Sequence, residues 1–89
     1  MNIANKQHIR NGLLLQLESS SPVTIPLETL REGLRIAGFP LPNAFVLKEL
    51  AYLQDKGLLD KSTHPLNPGL PRFGLTAAGR DYLESEGLA

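Results

Sequence analysis

The chain predicts an α+β fold, mostly α: a three-helix core, a β-hairpin and a closing C-terminal helix. Three observations predict it. Apolar residues recur at three- and four-residue spacing in three separate stretches. Short connections rich in proline, glycine or serine divide those stretches. Beyond the third, the pair Leu58-Leu59 leads into a segment holding Pro65, Pro68, Gly69 and Pro71, and Arg72–Leu75 reads as a return strand. A length of 89 residues with 42% hydrophobic content suits one domain, residues 1–89, with one modest core.

The first helix is read over residues 5–17, where Ile9, Leu13 and Leu17 recur every four residues and Leu14 widens the stripe. Gly12 is its weak point, since a mid-helix glycine costs about 1 kcal/mol relative to alanine. Ser19, Ser20, Ser21 and Pro22 end it, and Val23-Thr24-Ile25 fits a very short strand. Pro26 suits the first turn of a second helix, whose buried face is Leu27, Leu30, Leu34 and Ala37. Glu28 and Glu32 precede Arg31 and Arg35 in the favourable order for pairing along that helix. Gly38 caps its C-terminus, and Pro40 and Pro42 stiffen the connection that follows.

Asn43 reads as the N-cap of a third helix running to about Lys56, with Val46, Leu47, Leu50 and Leu53 on one face and Gly57 as its stop. The stretch around Pro65, Pro68, Gly69 and Pro71 is expected to be irregular. Thr76 caps a final helix that buries Tyr82 and Leu83 and ends near Gly87. Helix, short strand, helix, tight turn, helix, hairpin, helix is the layout of a winged helix-turn-helix with a β-hairpin wing and a C-terminal helix.

The segment "LAYLQDKGLL", Leu50 to Leu59, resembles the end of the recognition helix and the first wing strand of winged-helix regulators. "LTAAGRDYL", Leu75 to Leu83, resembles the second wing strand passing into the C-terminal helix. Together they cover the second half of the chain, and the first half agrees in helix order. The "ELAYLQDKGLL" core and the short chain are also similar to a family of small winged-helix proteins from Mu-like tailed bacteriophages. The resemblance implies a DNA-binding winged helix acting as a small transcriptional regulator. The proline-rich wing departs from the usual regulator pattern.

With Val46, Leu50 and Leu53 inward, the opposite face of the third helix is expected to hold Ala44, Phe45, Lys48, Tyr52 and Asp55. Asn43 and Lys48 fit base-edge readers, and Phe45 fits contact with a thymine methyl. The structural alternative makes Asn43 a cap, Lys48 a solvated charge, and Phe45 and Tyr52 packing residues. In the wing, Lys61, His64 and Arg72 are candidates for the DNA backbone or minor groove, or ordinary loop residues. Arg31 and Arg35 could clamp phosphates or pair with Glu28 and Glu32. Glu49 and Asp55 would repel phosphates.

Nine basic and nine acidic residues give zero net charge, but residues 1–80 carry all nine bases against six acids, net +3, and the other three acids lie at 81–89. Without cysteine there is no disulfide or thiolate metal site, and His8 and His64 alone set no metal spacing. No nucleophile elbow or phosphate loop occurs, so neither catalysis nor a cofactor is expected. No apolar run approaches the ~20 residues of a membrane span, and residues 1–10 lack a signal-peptide core, so a cytoplasmic protein is expected. Two functions follow: a regulator of double-stranded DNA, or a protein–protein interaction module docking through Phe45 and Tyr52. Under both, the terminal helices (5–17 and 76–86) are the parts expected to be free for homodimerisation.

Overall fold

The computed structural model describes residues 3–64 and 66–89, apart from the side chains of residues 3, 4, 64 and 68. In chain order the elements are α1 (Ile3–Ser20), β1 (Ile25–Pro26), α2 (Leu27–Ile36), α3 (Asn43–Asp55), β2 (Leu59–His64), β3 (Asn67–Leu75) and α4 (Ala77–Ser85). This is the winged helix-turn-helix layout read from the sequence.

Helix α1 is the centre of the core. Its Ile9, Leu13, Leu14 and Leu17 are fully buried, and it packs on α2, α3, α4 and β3. Ile25 of β1, Leu27, Leu30 and Leu34 of α2, Val46, Leu50 and Leu53 of α3, Leu59, Phe73 and Leu83 complete one cluster. The apolar stripe of α1, a helix expected to be free to pair with a second copy, is buried inside the domain, so any such pairing would use its other faces. The same holds for Leu83, the buried hydrophobic residue of α4.

The sheet is antiparallel in the order β1-β3-β2, with Ile25 opposite Phe73, Pro26 opposite Arg72, and Leu59 opposite Leu75. Strand β3 is longer than expected: Pro68 and Pro71 lie within it rather than in an irregular loop. Both prolines sit in its distal part, where, among the described residues, β2 alone runs beside it and the register slips between Thr63 and His64. A strand with one open edge, interrupted by a bulge, tolerates missing N–H donors.

Two helix starts also differ from expectation. Pro26 closes β1 and flanks α2 as its N-cap in an extended conformation, and Leu27 is the first helical residue. Pro42, not Asn43, is the N-cap of α3, with its carbonyl accepting from the N–H groups of Phe45 and Val46. The helix ends follow the sequence. Gly38, at φ 101°, lets the Phe39 N–H reach the Leu34 carbonyl, and Gly57, at φ 77°, lets the Leu58 N–H reach that of Leu53.

Candidate nucleic-acid interface

Helix α2, the turn 37–42 and helix α3 form the helix-turn-helix unit. The turn is held from both sides. Phe39 and Leu41 pack partly buried against the core, and Arg31 Nε donates to the Leu41 carbonyl at 2.8 Å. Arg31 is therefore bonded to the turn rather than to Glu28 as expected. Arg35 does pair with Glu32, at 2.9 Å from its Nε.

The faces of α3 are rotated relative to the expected ones. Leu47, expected inside, is 39% exposed, while Glu49 is 3% exposed among the core leucines. A buried carboxylate requires a partner. Arg10 of α1 supplies it, with Nε 2.6 Å from Glu49 Oε2. The arginine is shared: its guanidinium carbon lies 3.8 Å from the centroid of the Tyr52 ring, with the Lys56 ammonium 5.7 Å from that centroid. Glu49 is thus turned away from any phosphate and its charge is met within the fold. Phe45, expected on the outer face, is half-buried against the core. It lies about a quarter turn beyond Ala44, toward the buried side of the helix.

The remaining outer surface of α3 consists of Asn43, Ala44, Leu47, Lys48, Ala51 and, beyond them, Tyr52, Gln54 and Asp55, all exposed. Residues 44, 47, 48 and 51 follow the spacing of one helical face. Asn43, released from capping, stands at the helix N-terminus beside them.

The wing is tied to the core at its base. Arg72, opposite Pro26 in the sheet, donates from Nε to Thr24 Oγ1 at 2.9 Å and from Nη2 to the Thr24 carbonyl at 2.6 Å. It locks β3 to the segment entering α2. Thr76 caps α4 by accepting from the Gly79 N–H at 3.0 Å, and its hydroxyl donates to the Gly57 carbonyl at 2.6 Å. That bond joins the end of the wing to the end of α3. Lys61 is exposed on β2, opposite Phe73. The side chain of His64 lies outside the described residues. Leu66 and Leu70, at the far end of the wing, are 89% and 47% exposed.

A cavity of about 470 Å³ lies between α1, the end of α3 and α4, lined on its polar side by Gln7, Arg10, Asn11, Lys56 and Tyr82. The Tyr82 hydroxyl donates to Asn11 Oδ1 at 2.8 Å and accepts from Gln7. Burial, reinforced by the Glu86 carboxylate, raises the Tyr82 phenol above its ordinary range, against the Gln7 hydrogen bond, which lowers it.

Sequence reasoning placed Asn43, Lys48 and Lys61 on accessible surface, and the structure leaves them there. It missed the parts played by Arg10 and Thr24, and it read the buried Glu49 as an acid facing phosphates. The signal for Glu49 was its place three residues after Val46 and four before Leu53, inside the apolar period. The signal for Arg10 was its place next to Ile9 on the border of the α1 stripe.

No protein-family model matches the chain, and no curated protein matches it in sequence. Solved structures do match in shape. A point mutant of MepR from a multidrug-resistant S. aureus clinical isolate superposes with a TM-score of 0.76 at 17% identity, over 88% of this chain and 53% of that one. A second S. aureus MepR mutant gives 0.72 at 17% identity, over 85% and 51%. The PcaV transcriptional regulator from Streptomyces coelicolor, in complex with its natural ligand, gives 0.66 at 24% identity, over 81% and 46%. The chain spans about half the length of these structures. At such identities the likeness is one of fold, and the fold is the winged helix-turn-helix.

Proposed function

We propose that the domain binds double-stranded DNA as a winged-helix transcription regulator, with α3 in the major groove and the wing along the backbone. One observation carries the reading: the outer face of α3 is open along its first two turns, while Glu49, one of the two acids on this helix that would oppose phosphates, is buried on Arg10 and the other, Asp55, lies at its far end. The likeness in fold to a protein described as a transcriptional regulator supports it. Asn43 and Lys48 would meet base edges, and Lys61 the backbone beside the groove. Phe45, Tyr52 and Arg72 would act as supports, since each is engaged with the core, with Arg10 or with Thr24. Such a regulator would work in the cytoplasm. A homodimer would set two α3 helices about 34 Å apart, one per successive major groove.

Fluorescence anisotropy with labelled duplexes tests the reading. Phage and host promoter DNA are the first probes, given the resemblance to the Mu-like phage proteins. Binding is expected to weaken steeply with added salt, and Lys48→Ala to flatten that dependence. Failure of folded protein to retain any duplex at low salt overturns it.

A second reading, a protein-interaction module, is favoured by the exposure of Leu66 and Leu70 on the wing. It rests less on Phe45 than the sequence suggested, because that ring is half-buried. Retained DNA binding in a Leu66→Asp, Leu70→Asp variant separates the two readings.

A further inference from the structure

We propose that α3 reads DNA chiefly through thymine methyl groups, so that the site it prefers is rich in A·T pairs. The inference rests on the DNA-binding reading and adds the class of sequence recognised. Its basis is what stands on the outer face once the fold has removed the other candidates. Phe45 is half-buried against the core, the Tyr52 ring, although 39% exposed, carries the Arg10 guanidinium on its face, and Glu49 is buried. Ala44, Leu47 and Ala51 remain as an apolar stripe, flanked by Lys48 on one side and Asn43 on the other.

The major groove offers one apolar base-edge group, the C5-methyl of thymine. Ala44 and Ala51 are seven residues apart, about 10 Å along the helix, so the stripe runs past roughly three base-pair steps of about 3.4 Å. The Asn43 amide, freed from capping by Pro42, matches the N6/N7 pair of adenine. Guanine is read by arginine or lysine, and Lys48 is the one cation on this face among the described residues. An apolar stripe beside one amide therefore suits A·T pairs better than G·C pairs. It also explains how a chain of zero net charge could be selective without many cationic readers.

The test uses the full chain and a short duplex library with a randomised centre. Retained duplexes are sequenced, then remeasured by anisotropy with every thymine replaced by deoxyuridine. Uracil keeps the hydrogen-bonding edge and the phosphates and lacks only the methyl. Retained duplexes are expected to be A·T-rich, and the replacement to weaken binding by about fourfold for each methyl contacted. Leu47→Ala, a change on exposed surface checked for folding by circular dichroism, is expected to shrink the uracil penalty while leaving the salt dependence unchanged. Asn43→Ala is expected to abolish the adenine preference at one position. Equal affinity for thymine and uracil duplexes, or G·C-rich winners, overturns the methyl reading and leaves DNA binding standing. Retention of no duplex by folded protein overturns both and turns the stripe over to a protein partner.

Discussion

The outer face of α2 holds one arginine–glutamate pair, the contact between α1 and α3 holds another, and the two differ in kind. On α2, Arg35 and Glu32 are three residues apart, with side chains 60% and 54% exposed. The hydrogen bond from Arg35 lowers the Glu32 pKa below the ordinary carboxylate range. On α3, Glu49 meets a partner 39 residues away, and its side chain is 4% exposed against 22% for Arg10. Water screens the first pair, so it adds little to stability. The second sits where an uncompensated carboxylate is costly. The pair that follows from spacing is the one the fold needs least. The pair that fixes the orientation of α3 joins two helices remote in sequence.

The strongest way to break this contrast is Glu49→Ala, which strands Arg10 beside the core. It is expected to cost about 3 kcal/mol in urea unfolding, at the low end for a buried pair because Arg10 is partly solvated. Replacing both residues by methionine is expected to recover most of the loss. A Glu49→Ala cost no larger than that of Arg35→Ala would erase the distinction.

Two glycine-to-alanine changes sharpen it. Helix propensity alone predicts a gain of about 1 kcal/mol for each. At Gly79 a Cβ would collide with the Leu58 carbonyl oxygen and crowd Leu75 Cδ1, so Gly79→Ala is expected to destabilise by about 2 kcal/mol. At Gly12 a Cβ would meet only Leu34 Cδ2, at 3.4 Å, so Gly12→Ala is expected to stabilise by up to about 1 kcal/mol. Melting curves of the two variants should move in opposite directions.

The smallest effect belongs to Arg35→Ala. No resolvable change in melting temperature is expected at neutral pH, while the Glu32 carboxyl, followed by NMR, returns to an ordinary titration. The sign is set by linkage. A carboxyl with a depressed folded pKa contributes stability above its unfolded pKa and loses it as pH falls through the folded value. Any difference between variant and parent should therefore vanish in acid.

The order of elements was legible because its signals are local. Leucines at three- and four-residue spacing set α1, α2 and α3, Thr76 caps α4, and Gly38 and Gly57 supply the positive φ that ends α2 and α3. The reading surface was legible only in part. Leu47 and Glu49 both border the apolar stripe of α3, and periodicity cannot say which border turns inward. Arg10 on α1 decides it by giving Glu49 a partner, which leaves Leu47 outside. Asn43 looked like a cap until Pro42 took that place, and Pro68 and Pro71 looked incompatible with a strand until β3 ran past β1 into a stretch where its register with β2 slips. Which segments are helices, and where they stop, was thus written in the chain, since backbone preferences and the helical period act within a few residues. Which face of α3 meets the solvent, and with it what the winged helix can read, was settled by packing between helices, because a buried charge is admitted where another helix brings its counter-charge within hydrogen-bond reach.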